Sequence, residues 1–362
     1  MASFVRRSNP ASLPGSTVLA VSATANLFAT ANQNIPYFSV YRKAGSVQFA
    51  NNPSAGANPG TAVAIHPNEK LLFLGQSGNP GQVVHRINEN ETFTQLANLP
   101  SFDGRTVAAA FSADGTMLAI AHERSPFLTC YSVDAENETF TRIPNPATLP
   151  TALARGVAVS DDGSLVAIAF NASPFFAVYS FDGSTLTKLP NPAVLPPNIA
   201  FGVDISPDDK FVAVANISTA PYFSLYEIDN GTLVKVSDTP AFSGNGFSAR
   251  FDPVEDGIVT AHNTVGVYRH WLVGEDGAMT EQDPLPNQPS IATTSGAMQF
   301  SFDGDLLVIG FSTSPFVAIY DVIRDVPGET KTFMGEDAVD AIYHGSDEVT
   351  RAYVGSALIL GD

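Results

Sequence analysis

Two kinds of apolar pattern alternate along this chain in a fixed order, and the order repeats. Continuous apolar runs such as Leu165-Val166-Ala167-Ile168-Ala169 and Phe211-Val212-Ala213-Val214-Ala215 read as strands covered on both faces. After each comes a loop with proline and an aromatic residue: Pro36-Tyr37, Pro126-Phe127, Pro174-Phe175, Pro221-Tyr222 and Pro315-Phe316. The aromatic is expected to begin a third strand, which ends at Tyr41, Tyr131, Tyr179, Tyr226, Tyr268 or Tyr320. A hairpin turn (Asp182-Gly183, Asn230-Gly231, Asp276-Gly277) then leads into strict alternation, as in Thr139-Phe140-Thr141-Arg142-Ile143, the pattern of an outer strand with one wet face. Ahead of each continuous run stands a first strand ending in a small polar residue: Ser22, His66, Ser112, Ser160, Ser206, Asp252, Ser301 and, less regularly, His344. Asp-Gly turns such as Asp114-Gly115 and Asp162-Gly163 follow these anchors, because such pairs tolerate the positive φ of a tight hairpin.

Four strands per unit, recurring about every 46 residues, predict the blades of a β-propeller. Inner strands near residues 18, 62, 106, 156, 202, 246, 296 and 339 give an all-β, single-domain propeller over 1–362. Eight four-stranded blades are expected, beginning near 17, 61, 106, 156, 202, 246, 296 and 338; the last unit is degenerate, so seven is the alternative count. Residues 3–14, SFVRRSNPASLP, match TFTRIPNPATLP at 139–150, an outer strand and exit loop with no blade before them. Residues 1–16 are therefore expected to complete the last blade and close the ring, which protects both terminal edges.

The unit Ser206-Pro207-Asp208-Asp209-Lys210-Phe211-Val212-Ala213-Val214-Ala215-Asn216 resembles blades of WD-repeat-like propellers, and in style those of lactonase-like propellers. The Gly-His and Trp-Asp pairs of true WD repeats are missing. With Ser-Pro-Phe before the third strand and Asn-Pro-Ala-x-Leu-Pro after the fourth, the blade also resembles repeats in virion propellers of tailed bacteriophages.

Composition narrows the partners. A formal net charge of −18 argues against nucleic acid, whose phosphates need clustered Lys and Arg. No run of 18 apolar residues is present for a membrane span, and the start MASFVRRSNPASLPGS lacks the apolar core of a secretory signal. Synthesis in the host cytoplasm without a signal peptide is the expectation. The single cysteine, Cys130, sits within a third strand and reads as a small buried hydrophobe.

Candidate chemistry is sparse. Propeller sites gather where loops between strands two and three, and between strand four and the next blade, surround the channel mouth. Those loops include His122-Glu123-Arg124, Asn171-Ala172, Asn216 to Thr219 and His262-Asn263-Thr264, with Arg105, Arg155 and Asn245 just before inner strands. Arg105 and Arg155, read as equivalent positions in adjacent blades, could clamp a carboxylate or sugar acid; alternatively each pairs with a neighbouring acid and orders the ring. His122 and His262 occupy equivalent places after strand two. His66, standing for the anchor Ser, and His85, standing for the recurring Tyr, read as structural substitutions. No metal-ligand spacing, G-x-S-x-G elbow or phosphate-binding loop occurs, so no cofactor or metal is expected. The Asp-rich turns, richest at Asp252 to Gly257, lack EF-hand spacing and read as solvated turns.

The function expected on these grounds is a non-catalytic structural or interaction propeller of a tailed-phage virion. It would dock to other virion proteins, with a host-surface glycan as a further partner. A lactonase-like hydrolase acting at the channel mouth, using Arg105, Arg155, His122 and His262, is the enzymatic alternative. A cytoplasmic scaffold is the third reading.

Overall fold

The structure is a computed structural model. It describes residues 2–324 except 11, 13, 45–47, 50–51, 54–57, 79–80, 97–98, 100–103, 239–243, 264–267 and 289–296, and beyond 324 the backbone of four short strands. Its regular elements are all β-strands. Blades 1 to 6 are the antiparallel sheets of residues 18–42, 60–95, 106–142, 154–188, 200–238 and 246–281. Blades 2 to 6 have four strands each; in blade 1, Gln48 bridges to Tyr41 in the place of the fourth. Blade 7 joins Met298–Phe300, Leu306–Gly310 and Val317–Arg324 to the N-terminal strand Ala2–Arg6.

The ring holds seven blades, the alternative count of the sequence reading and one fewer than the eight first expected. Each inner strand packs against the next, and the inner strand of blade 7 packs against Val18–Ala23 of blade 1. There the Val18 amide donates to the Phe311 carbonyl at 3.0 Å. Seven apolar clusters fill the seven gaps between neighbouring blades, the last joining Val21, Phe28 and Tyr41 to Leu306, Val308 and Ile319. The expected eighth blade near 338 falls on residues largely outside the described ones. Its described strands, Tyr343–His344, Asp347–Glu348, Ala352–Val354 and Ala357–Leu360, pair as two separate hairpins. Strands of two to four residues are too short to cover a blade face of the usual length.

The N-terminal strand closes the ring as expected in kind, but on the unit beginning near 296. Ala2 lies opposite Arg324 and Arg6 opposite Tyr320. Phe4 is buried edge-on to His270 at 5.1 Å, and the Ala2 amide donates to Glu255 Oε2 at 2.7 Å, so the strand also grips blade 6. Arg7 forks onto Asp321 through Nε at 2.8 Å and donates to the Lys43 carbonyl of blade 1.

The repeated turn motif is a hydrogen-bonded lock. Ser206 Oγ donates to Asp208 Oδ1 at 2.6 Å and accepts the Phe211 amide at 2.8 Å. Ser112 with Asp114 and Met117, and Ser160 with Asp162 and Leu165, repeat it. In blade 2, His66 replaces the hydroxyl with other bonds, meeting Asn68 Oδ1 at 2.7 Å through Nδ1 and the Gly115 carbonyl of blade 3 at 3.0 Å through Nε2. At Gly115, φ is +76° and any Cβ would strike the His66 ring, so only glycine fits.

The prolines of the loops between strands two and three, at Pro36, Pro126, Pro174, Pro221 and Pro315, follow cis peptide bonds. The aromatic after each lies in the turn and not in the strand: Phe127, Phe175 and Phe316 have φ of 61–72°. Its carbonyl accepts from the last residue of strand two, as in Asn32 to Tyr37 at 2.7 Å and His122 to Phe127 at 3.0 Å.

Candidate functional site

Six of the seven inner strands carry a β-bulge at their second residue. The register slips between Val18 and Ala20, Gly60 and Ala62, Ala154 and Gly156, Ala200 and Gly202, and Gly246 and Ser248; in blade 3 the slip leaves Val107 unpaired. A bulge frees one residue from the ladder and re-aims it. Those freed residues, Leu19, Thr61, Val107, Arg155, Phe201 and Phe247, all line the central channel. The glycines that follow let adjacent inner strands approach: a Cβ on Gly156 or Gly202 would stand 2.9 Å from the carbonyl oxygen of Phe201 or Phe247.

The channel encloses about 290 Å³, and Arg105 and Glu123 join the bulge residues in lining it. Arg105 Nη1 lies 3.5 Å from Glu123 Oε1, a loose ion pair within blade 3. The Arg155 guanidinium stands over the Phe201 ring, 4.9 Å from its centroid, a cation–π contact. Phe201 meets Phe247 edge-to-face at 5.3 Å. Burial lowers the Arg155 pKa, with Glu123 opposing the change and Arg105 reinforcing it. The Nε atoms of Arg105 and Arg155 are buried with no hydrogen-bond partner among the described residues.

Both arginines are thus at the mouth, but they are not equivalent residues of the repeat. The Arg105 carbonyl accepts the Glu123 amide as the Leu153 carbonyl accepts that of Asn171, so Arg105 corresponds to Leu153 and Arg155 to Val107. They converge because the bulge turns Arg155 inward toward the loop that carries Glu123.

The other sequence candidates stand elsewhere. His122 and His262 end their second strands, on blades 3 and 6, and are almost wholly buried. They occupy the place held by Asn32, Gln76 and Asn216 in other blades. There Asn216 Nδ2 donates to the Thr219 and Pro221 carbonyls at 3.0 and 2.8 Å, so the position anchors the loop beyond it. His122 Nε2 meets Thr129 Oγ1 at 3.0 Å, and His262 Nε2 meets Thr260 Oγ1 at 3.2 Å. Burial pushes their imidazoles down to about 4 and about 3. Asn245 is a loop tie: its Oδ1 accepts the Ser218 amide at 2.7 Å and its amide donates to Asn263 Oδ1 at 2.8 Å. Cys130 is buried, its thiol pushed up to about 12 by desolvation.

Phe201 and Phe247 were missed by sequence reasoning. Aligning the second residue of every inner strand would have found them, but a bulge is invisible in apolar patterning. A second channel group was missed as well. Arg250 donates to the Val203, Ala249 and Met298 carbonyls at 2.9, 3.1 and 3.0 Å, and stands 3.7 Å from Asp204, tying blades 5, 6 and 7.

Charge divides the two faces. In the loops around the mouth, between strands two and three and between blades, the charged residues among those described are Arg105, Glu123, Arg124 and Asp283; the sequence adds Asp103. Arg7 belongs to the outer rim with Asp321. The turns of the opposite face are dominated by acids, among them Asp161, Asp162, Asp208, Asp209, Glu275 and Asp276; Lys43, Lys70 and Lys210 are the basic residues in the described turns. Burial and neighbouring acids raise Asp161 and push Asp209 up to about 6. Among the described residues, no group of three or more His, Cys, Asp or Glu could hold a metal ion.

Comparison with known proteins places the fold. The chain superposes on one in the "Crystal Structure of Mitotic Checkpoint Complex" with a TM-score of 0.67, over 89% of this chain and 94% of that one, at 14% identity. In all, 1560 chains of solved structures match it, so the architecture is too widely shared to select a function. The likeness shows the β-propeller fold. No protein-family model matches the chain, and no curated protein matches it.

Proposed function

We propose that this chain is a non-catalytic docking propeller that presents its near-neutral loop face to a protein partner. The observation that carries this reading is the segregation of charge. A molecule of net charge −18 carries few acids on one face, where loops rich in proline, asparagine and phenylalanine surround an arginine- and aromatic-lined mouth. Arg and aromatic side chains are the usual anchors of interfaces, and charged residues are depleted at interface centres. The acidic turns keep the opposite face solvated and mutually repelling.

The setting we favour is the virion of a tailed bacteriophage, with other virion proteins as the docking partners, because the blade texture resembles virion propellers. The test is quantitative mass spectrometry of density-purified particles against clarified lysate from the source culture. Enrichment in particles at fixed stoichiometry is expected. Presence in the soluble fraction alone would replace the virion with a cytoplasmic scaffold or an enzyme.

The lactonase-like alternative needs a general base beside a cation at the mouth. Burial of His122 and His262 at strand ends, and the role of Glu123 as counter-ion to Arg105, support the non-catalytic reading. Unchanged absence of sugar-lactone hydrolysis in the wild type and in Arg105→Ala plus Arg155→Ala is the expected outcome; turnover lost in that variant would restore the enzyme.

A further inference from the structure

The mouth holds more cationic hydrogen-bonding capacity than it uses. Arg105 has one loose contact, to Glu123 at 3.5 Å. Arg155 makes no hydrogen bond or ion pair among the described residues, only the contact with the Phe201 face. Arg124, exposed on the next residue after Glu123, packs its stem beside Gly104. Among the described residues, Glu123 is the carboxylate beside both Arg105 and Arg155, in a protein whose charge is strongly negative. A guanidinium that is partly desolvated without a hydrogen-bonded counter-ion leaves its fork of donors unused, an arrangement suited to bidentate capture of a planar anion. Beside it, Phe201, Phe247, Leu19 and Val107 supply an apolar wall at one end of a channel that encloses about 290 Å³ over its whole length and is lined farther in by Asp161, Asp204 and Arg250, too little room for a polymer.

We propose that Arg155 and Arg105, backed by Phe201 and Phe247, form a recognition subsite for a carboxylate carried on an aromatic or apolar body. Arg155 supplies the bidentate fork, and Arg105 exchanges Glu123 for the incoming carboxylate or shares it. Phe201 fixes the plane of the guanidinium from below, and Phe247 contacts the apolar part. A tetrahedral dianion such as phosphate is less suited, because Glu123 opposes a second negative charge and the wall offers it nothing. This inference rests on reading the mouth as a recognition site but not on the virion setting. The carboxylate can be free in solution or borne by a peptide of the partner, and the probes separate these sources.

The experiment uses the full chain. Fluorine NMR would follow 4-fluorobenzoate against its neutral counterpart 4-fluorobenzamide. Acetyl-Phe-Glu amide against acetyl-Phe-Gln amide would be followed by their displacement of 4-fluorobenzoate and by direct calorimetry. We expect each acid to bind in preference to its amide. Arg155→Gln should weaken acid binding about tenfold or more, the worth of a charge-assisted hydrogen bond, with an unchanged melting temperature. Glu123→Gln should strengthen it by removing the internal competitor. Binding of the benzoate but not the peptide would assign the site to free acids, and the reverse to a peptide-borne carboxylate; either supports the subsite. No acid binding at millimolar concentration, equal binding of acid and amide, or full affinity in Arg155→Gln would overturn it. Particle mass spectrometry is independent of this outcome, so the loss of either reading leaves the other testable.

Discussion

At the scale of the residue, the fold rests on a hydroxyl used in both directions. Ser206 Oγ accepts from the strand that follows the turn and donates to the aspartate that shapes it. Ser206→Ala removes both and leaves the buried Phe211 amide without a partner, so we expect a loss of about 1–3 kcal/mol in urea unfolding. Histidine matters through its neutral form. His122 and His262 are held down at about 4 and about 3, against an ordinary 6.5. Below about 6.5 the unfolded chain takes up protons that the folded chain refuses. Each site therefore withdraws stability as pH falls toward its folded value, by up to about 1.4 kcal/mol per pH unit. Asp204 and Asp209, both pushed up to about 6 from 3.8, act the other way between those values, since there the folded chain keeps protons the unfolded chain has lost. The comparison that isolates histidine is wild type against the His122→Asn, His262→Asn double variant, which installs the residue found at Asn32 and Asn216. Its stability relative to wild type should rise steadily from pH 7 to pH 4; a constant difference would refute the assignment. Sequence showed the Ser and Asp of the lock because they recur, yet not the bond between them. It placed His122 and His262 at equivalent positions but near a mouth. Whether a strand-end side chain faces the loop behind it or the solvent is decided by a turn whose geometry no residue pattern records.

At the scale of the element, the N-terminal strand decides how the ring is closed. Its match to 139–150 made the strand legible from the residues alone, since an outer strand without a blade has to be borrowed by another. The blade it joins was not legible. Three apolar segments after residue 338 look like strands when only the period is counted, whereas closure depends on whether blade 7 can already reach blade 1. Val18 and Phe311 show that it does. Phe4→Ala should cost about 3 kcal/mol, because the ring is buried against His270 and Phe300 of two blades. Deleting residues 1–14 should lower the melting temperature sharply, by exposing the edge of Val317–Arg324 and removing the Arg7–Asp321 fork. An unchanged melting temperature would exclude the strand as the closure. The two arginines show a different limit: Arg105 stands seven residues before the anchor Ser112 and Arg155 five before Ser160, so spacing already separates them, whereas the bulge that turns Arg155 inward leaves no trace in the spacing.

At the scale of the whole molecule, the disc has a solvated acidic side and a side nearly without charge. In any complex, hydrogen-exchange protection should appear in loops such as 144–153, 190–199 and 217–222 of the near-neutral face and spare the turns at Asp161, Asp208 and Glu275. Protection confined to the acidic turns would reverse the proposed orientation. The bulges give this arrangement a further property. Because Leu19, Thr61, Val107, Arg155, Phe201 and Phe247 have already left the ladder, the backbone bonds that hold the blades do not depend on which side chains stand there. What the ring reads is thereby uncoupled from what keeps it together. The same scaffold can change its selectivity by single substitutions at these places, one blade at a time, without breaking a ladder; Thr61, whose hydroxyl donates to the Thr106 carbonyl of the next blade, is the position where the side chain also ties two blades.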